Sequence, residues 1–374
     1  MVVMSTVDHS LVWEWLSDGL ERAGVLCRYV LLNPEDGPYE TFLRDRGIPV
    51  TRVHYESKRD APRALAHLTA LMALERPRVV HAHLFDASVL AMIAARVARV
   101  PSRIHTRHYS RLQQVYHPNG VKYDRLASAM STRVVAISDV VADAVVDEGT
   151  AREKIRVIHH GFDVDRFRDV PEARVRALRD KYDLPADRTI VGVVSRYIAL
   201  KGLDYIIPAF GAFLRHDPKA LLVLANAAGE EHARVQQLLA QHCPGAHRQI
   251  VFETDGPALY KTFDYFIHAP VDSTCEAFGQ TYVEALLAGV PSVFALSGVA
   301  NELVRHEHNA LVVPHRDAAA ITAALVRLAT DDALRQRIVA NGMADARNGF
   351  TVDRMVSGHV ALYAEAGVRS IADG

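Results

Sequence analysis

Cysteine is scarce in this 374-residue chain: only Cys27, Cys243 and Cys275 occur, far apart. An odd, scattered set offers no disulfide framework and no zinc knuckle, and it fits a reducing compartment. Net charge is also lacking. Lys and Arg number 43 against 44 Asp and Glu, which argues against nucleic acid as a bulk partner. No apolar run reaches the length of a membrane span, and Val2-Val3-Met4 lacks the basic and long apolar regions of a signal peptide. The expected location is therefore cytoplasmic. No G-x-G-x-x-G opens either half of the chain, which weakens a dinucleotide oxidoreductase reading. Walker A and nucleophile-elbow motifs are missing too. Asp163-Val164-Asp165 spells D-x-D but falls in an expected linker. His81-x-His83 with Asp86 offers metal-type ligands with no further one evident, so no metal is expected.

What is present is an α/β grammar, written twice. Hydrophobic residues make up 49% of the chain, more than one ordinary core holds at this length. Strands are predicted at 2–7, 27–32, 79–83, 103–106 and 133–137, with helices at 11–23, 39–46, 61–74, 87–98 and 139–148. After a break near 161–170 the alternation restarts. Strands are predicted at 190–194, 221–224, 249–252, 265–268 and 292–295. Helices follow at 203–215, 231–242, 280–288, 318–329 and 334–346. Such alternation implies parallel sheets covered on both faces. The expected layout is two Rossmann-like, doubly wound domains facing a cleft, spanning 1–165 and 166–350. An amphipathic helical tail, 351–374, is expected to pack back on the first domain. Ser10 is expected to cap the first helix.

Charge is uneven despite its balance. From Arg96 to Arg133 there are eight Lys or Arg residues and one acid, Asp124. This stretch reads either as a solvated basic face or as a patch for an anionic acceptor or lipid surface, which leaves peripheral membrane contact through 96–133 open.

Four residues carry the chemistry. Arg196 and Lys201 follow a predicted strand, where ligands bind in open α/β sheets, and two cations there suit a diphosphate. Glu276 and Glu284 flank a helix start near Gln280, about 12 Å apart if fully helical. Each carboxylate has acceptor sites enough to grip a vicinal diol: Glu284 suits a ribose and Glu276 a transferred sugar. Gly279 allows close backbone approach to a phosphate, and the first-turn residues Gln280 and Thr281 present N–H groups to an anion.

The segment Glu276-Ala-Phe-Gly-Gln-Thr-Tyr-Val-Glu284 resembles the E-x7-E element of retaining GT-B glycosyltransferases of family 4, and Arg196-x4-Lys201-Gly202 is similar to that family's R-x4-K-G. Further pieces, Val79–His83, Val135–Ser138, Ile155–Phe167 and Asn309–Pro314, extend the resemblance over nearly the whole chain. It implies transfer of a sugar from a UDP- or GDP-linked donor to an acceptor hydroxyl, with retention and without a metal or other cofactor. The acceptor is expected to be a glycan, a lipid-linked intermediate or a small molecule. By the resemblance Arg196 and Lys201 hold the diphosphate, Glu276 with the Phe278–Gly279 backbone engages the donor sugar, and Glu284 engages the ribose. Thr254 and Asp255 are the expected contacts near the base. Thr106-Arg107-His108 matches a T-x-H element, which puts His108 at the reacting centre, with His83 and Arg107 toward the acceptor. The chain departs from the family after its first strand. Val7-Asp8-His9-Ser10 stands where a glycine-rich turn is usual, so Asp8, His9 and Ser10 are expected to contact the acceptor through side chains. A second departure is Ala225-Asn226-Ala227-Ala228-Gly229, where the glycines usually cluster earlier. The missing turn also motivates an alternative, a catalytically weak relative that binds nucleotide sugar or serves as a partner subunit.

Overall fold

In the computed structural model, which describes residues 1–5, 10–111, 114 and 116–368, the chain divides into two compact units. One is Met1–Phe162 together with Phe350–Gly374, the other Asp163–Gly349. Each unit is built on one wholly parallel sheet. The first holds β1 (Val2–Ser5), β2 (Tyr29–Leu32), β3 (Val50–Val53), β4 (Val79–His83), β5 (Ser102–Arg107), β6 (Arg133–Ala136) and β7 (Ile155–Val157), in the order β3-β2-β1-β4-β5-β6-β7. The second holds β8 (Ile190–Val194), β9 (Leu221–Ala225), β10 (His247–Ile250), β11 (Tyr265–His268), β12 (Ser292–Phe294) and β13 (Leu311–Val312), in the order β10-β9-β8-β11-β12-β13. Together they form the GT-B-type pair of Rossmann-like domains.

The central strands are nearly continuous apolar runs because both faces are covered. Leu221-Leu-Val-Leu-Ala225 is buried throughout. In each sheet the strand order reverses once, between β1 and β4 in the first and between β8 and β11 in the second. At such a point the crossover helices leave to opposite faces, and a crevice opens beyond the strands' carboxyl ends.

The helix Val352–Glu365 belongs to the first unit. Met355, Val356, Leu362 and Tyr363 join Val12, Leu16, Leu20, Ile104 and Val135 in one apolar cluster. Each fully buried large side chain there contributes roughly 1.5–3 kcal/mol. The strand expected at 249–252 is shifted: pairing with β9 covers His247–Ile250 and leaves Val251 and Phe252 each 69% exposed. Three short strands, β3, β7 and β13, escaped the sequence reading, as did the helices Val121–Met130 and Glu172–Lys181. All three strands end at or lie on a sheet edge, where a few residues pair on one side only and the apolar signal is weak. Ser10 stands at the first helix's N-cap with extended backbone but makes no side-chain cap bond; its carbonyl alone receives the N–H groups of Trp13 and Glu14.

Candidate functional site

In the second unit, the switch-point strands β8 and β11 carry the predicted residues at their carboxyl ends. Arg196 follows β8 by two residues and is exposed, with no ion-pair partner among the described residues. Lys201 ends a short 3-10 turn, Ala199–Lys201, and its Nζ lies 2.5 Å from Oε1 of Glu276. The same oxygen accepts a second hydrogen bond from Nε2 of His268, the last residue of β11, at 2.9 Å. Glu276 is 8% exposed. Burial by itself would raise its pKa, but the hydrogen bond from His268 and the charge and hydrogen bond of Lys201 hold it at about 2. Burial keeps His268 below its ordinary range and therefore neutral, so it donates Nε2–H while Lys201 supplies the positive charge.

The loop that carries Glu276 is fastened at both ends. Its N–H donates to Ser297 Oγ at 3.0 Å, and Val299 N–H donates to the Phe278 carbonyl at 2.9 Å. Gly279 sits at the N-cap of Gln280–Leu287 with φ +84°, a left-handed geometry that a side chain rarely adopts; a Cβ there would fall 2.7 Å from the Tyr282 ring. Gly298 is needed for a similar reason. A Cβ on it would lie 2.6 Å from the Phe278 carbonyl oxygen and 2.9 Å from Cβ of Glu276. Tyr282 is fully buried and donates to the Ala295 carbonyl at 2.6 Å, which ties the helix to the end of β12. Phe278 itself is buried, so what it offers a ligand is backbone. Gln280 is exposed, and the Thr281 hydroxyl is buried without a hydrogen-bond partner among the described residues. Glu284, one turn further, accepts from Tyr260 Oη at 2.8 Å; burial raises its carboxyl above the usual range. The four predicted side chains therefore do not stay as a cationic and an anionic pair. Lys201 and Glu276 are joined, Arg196 is open, and Glu284 is held by a phenol.

On the donor side, Asp255 already has partners. Asp255 is bound bidentately by Arg174 at 2.5 and 2.8 Å, and it caps the helix Gly256–Tyr260 by accepting from Ala258 N–H. Both of its oxygens are thus engaged in a surface ion pair and a helix cap. Thr254, beside it, is exposed. Asn226, at the position of the second departure, adopts φ +60°. An asparagine tolerates the left-handed turn there without a glycine.

In the first unit the switch-point strand β4 ends in His83, and His108 follows β5. Their rings meet, with His83 Nδ1 3.2 Å from His108 Nε2. Trp13, from the helix Leu11–Arg22, lies edge-on to both, with centroids 4.8 Å from His83 and 5.0 Å from His108. Beneath them, His81 Nε2 and Thr106 Oγ1 are 2.7 Å apart, and His81 Nδ1 lies 2.7 Å from Tyr363 Oη. Burial lowers the pKa of His81, His83, His108 and His359 and keeps them neutral. His108 alone of these four is only half-buried, so one part of its ring faces outward.

Arg107 does not belong with its neighbours. Alternation along β5 sends it to the opposite face from Thr106 and His108. It is 2% exposed, pairs with Asp124 and Glu148 at 2.8 Å each, and stacks on the Tyr109 ring at 3.9 Å. The expectation that it touches an acceptor is corrected: the guanidinium is buried and turned toward two carboxylates inside the unit. Asp124 shares that cation and accepts from Tyr109; burial lifts its pKa to about 6. Asp8 and His9 lie outside the described residues. The basic run 96–133 is not one patch either. Arg103 donates to the Met130 and Val100 carbonyls, Arg111 pairs with Asp147, and Arg133 with Glu365. Lys122 and Arg125 are exposed beside the exposed Tyr123 and Leu126.

Among the described residues no group of three or more His, Cys, Asp or Glu side chains is arranged to hold a metal ion. No helix there is long and apolar enough to cross a membrane. His268, Tyr260, Ser297 and Trp13 were missed by sequence reasoning. A buried histidine ending an apolar strand, Tyr-Phe-Ile-His, is the one signal that was open to notice.

Known proteins align with this geometry in both halves. Residues 12–166 match Glycosyltransferase Family 4 and residues 175–345 match Glycosyl transferases group 1. The chain is 29% identical over 333 residues to a D-inositol 3-phosphate glycosyltransferase of Xylanimonas cellulosilytica, covering 83% of this chain and 78% of that one. It is 23% identical to a mannosylfructose-phosphate synthase of Agrobacterium fabrum, over 73% of this chain and 65% of the other. In structure it is similar to Anabaena HepE, crystallised with UDP-glucose, with a TM-score of 0.82 at 21% identity over 97% and 99% of the two chains. It also resembles a sucrose-phosphate synthase from Thermosynechococcus elongatus, with a TM-score of 0.74 at 18% identity over 97% and 98%.

Proposed function

The chain belongs to the family 4, group 1 type of GT-B glycosyltransferases, and from that premise we propose that it transfers a sugar from a nucleoside-diphosphate sugar to an acceptor hydroxyl with retention of configuration. The observation that carries this reading is the contact of Lys201 with Glu276 at the carboxyl ends of β8 and β11, where an open α/β sheet binds its ligand. Lys201 and Arg196 bind the diphosphate, and the N-terminus of Gln280–Leu287 adds oriented N–H groups. Glu276 receives hydroxyls of the transferred sugar. Glu284 receives the ribose diol, for which a half-buried carboxylate with one phenol partner has remaining acceptor sites.

As the glycosidic bond lengthens, charge grows on the leaving diphosphate. Lys201, Arg196 and the helix N-terminus stabilise it there, so the step requires no metal. A phosphate oxygen takes the acceptor proton on the same face of the sugar, which yields retention. His108, held by His83 and Trp13, keeps its expected role toward the acceptor. UDP is the favoured nucleotide over GDP, supported by the UDP-glucose bound to the similar HepE. A peripheral contact with anionic lipid through Lys122, Tyr123, Arg125 and Leu126 is compatible with this reading. Co-sedimentation with phosphatidylglycerol vesicles tests it, and no binding at low salt would remove it.

The deciding experiment has two arms. A thermal-shift panel of UDP-, GDP- and ADP-sugars ranks the donor, because a ligand of the native state raises stability with the logarithm of its excess. Lys201→Ala and Glu276→Ala are then assayed with the best donor. Each is expected to lower turnover by roughly 10²–10³-fold or more. Wild-type turnover by either variant would overturn the reading.

A further inference from the structure

We infer that His268 is a positioning residue that takes over Glu276 when the donor's diphosphate draws Lys201 away, and that it accepts a proton as it does so. The inference rests on the proposed roles of Lys201 and Glu276.

Oε1 of Glu276 accepts from two donors at once, Lys201 Nζ at 2.5 Å and His268 Nε2 at 2.9 Å. An ammonium bound that closely to a carboxylate is not available to a phosphate. A diphosphate is a stronger attractor than one carboxylate, so the lysine exchanges partners when donor binds. Glu276 then remains 8% exposed with a single partner of the two. A buried carboxylate stripped of its cation is costly, by several kcal/mol in general. Imidazole is the side chain that restores a cation near neutrality with the smallest change in its surroundings.

The surroundings of His268 suit that task. It is 1% exposed, and its Nδ1 has no hydrogen-bond partner among the described residues, so the nitrogen that takes the proton is not committed elsewhere. Its ring meets Tyr282 edge to face at 4.7 Å and 84°, which fixes the orientation of the imidazole. The titratable groups that meet it are Glu276 on the loop, Lys201 after β8, and Tyr282 on the helix, with Cys275 next to Glu276 in the chain. Burial keeps the Tyr282 hydroxyl and the Cys275 thiol neutral, so only Glu276 and Lys201 carry charge. Departure of Lys201 removes a repulsive charge from His268 and leaves an attractive one. Both changes favour the imidazolium. The proton comes from solvent and ends on Nδ1, while Nε2–H stays on Glu276.

The test is calorimetric titration of the whole protein with UDP-glucose and GDP-glucose in buffers of different ionisation enthalpy. Their pyrophosphate diesters exchange no proton near neutrality, so any proton counted belongs to the protein. Wild type is expected to take up close to one proton per donor bound, with affinity rising as pH falls. His268→Gln keeps an N–H for Glu276 but has no site for the proton; it is expected to bind donor with no uptake and a flat pH dependence. His268→Phe lacks both and is expected to lose roughly 10²-fold in kcat with a smaller change in KM, which the Gln variant largely restores. Binding without proton uptake in wild type, or uptake that persists in His268→Gln, overturns the inference and leaves the glycosyltransferase reading standing. Failure of wild type to bind any nucleoside-diphosphate sugar of the panel removes that reading and the inference with it.

Discussion

Lys201 Nζ and Glu276 Oε1 are 2.5 Å apart, although 75 residues separate them in the chain. The cation that suits a diphosphate and the acid that suits a sugar thus stabilise each other. Lys201→Met is expected to cost stability as well as transfer, because it leaves Glu276 buried with His268 as the one partner remaining of the two. A loss of about 1–3 kcal/mol is expected in urea unfolding at pH 7. The Glu276→Gln, Lys201→Met double variant should recover part of it. An unchanged midpoint for Lys201→Met would show that the pair contributes nothing to the fold.

Acid should weaken the first unit early. Burial lowers the pKa of His359 to about 4 and holds His81 and His83 further down. For a base with a depressed folded pKa, the unfolded chain binds more protons. Stability is therefore complete above the unfolded value, near 6.5, and lost as pH falls below it. His359 alone accounts for about 3 kcal/mol at full protonation. Both tryptophans, Trp13 and Trp15, lie in the helix Leu11–Arg22. Tryptophan emission followed from pH 7 to pH 4 should thus report unfolding of this unit, and His359→Leu should move the transition to lower pH. Coincident curves for the two proteins would refute the assignment.

Asp124 acts in the opposite sense. Its pKa is raised by burial to about 6, against 3.8 ordinarily. An acid with a raised folded pKa stabilises the fold below the unfolded value, and that contribution is lost as pH rises through about 6. Asp124→Asn should steepen the loss of stability between pH 6 and 4, because the effect of the buried histidines is then unopposed. Arg107→Met, which leaves Asp124 and Glu148 buried without their cation, should cost about 3–5 kcal/mol while transfer per folded molecule is retained. A large fall in kcat with an unchanged midpoint would restore Arg107 to the acceptor site.

Gly279→Ala tests the helix start. The new methyl group would meet the Tyr282 ring at 2.7 Å in a left-handed backbone. The expected cost is about 1–3 kcal/mol, with donor affinity falling further than the midpoint explains. Affinity measured by titration and stability by urea separate the two effects.

Much of this was legible in the chain. β8 and β11 announce themselves as apolar runs, and Arg196, Lys201, Glu276 and Glu284 stand out as charges just beyond strand ends or at a helix start. His83 and His108 were readable for the same reason. Arg107 misled because residue type was read without its alternation along β5. Asp255 is harder to read, because a cap and a nucleotide contact require the same kind of side chain at the same kind of position. His268 was passed over because a histidine that ends an apolar strand is a signal without a spacing rule to tie it to Glu276.

The sequence by itself determined the alternation of strand and helix, and with it two parallel sheets and the chain positions where charges fall beyond strand ends. Those features follow from local periodicity, which the neighbouring residues set. Only the tertiary structure decided which charges meet. That Glu276 takes Lys201 and His268, that Glu284 takes Tyr260, and that His81 reaches Tyr363 on the returning C-terminal helix depend on strand order and register. Electrostatic contacts act over a few ångströms between residues tens to hundreds of positions apart, and a one-dimensional pattern holds no record of that distance.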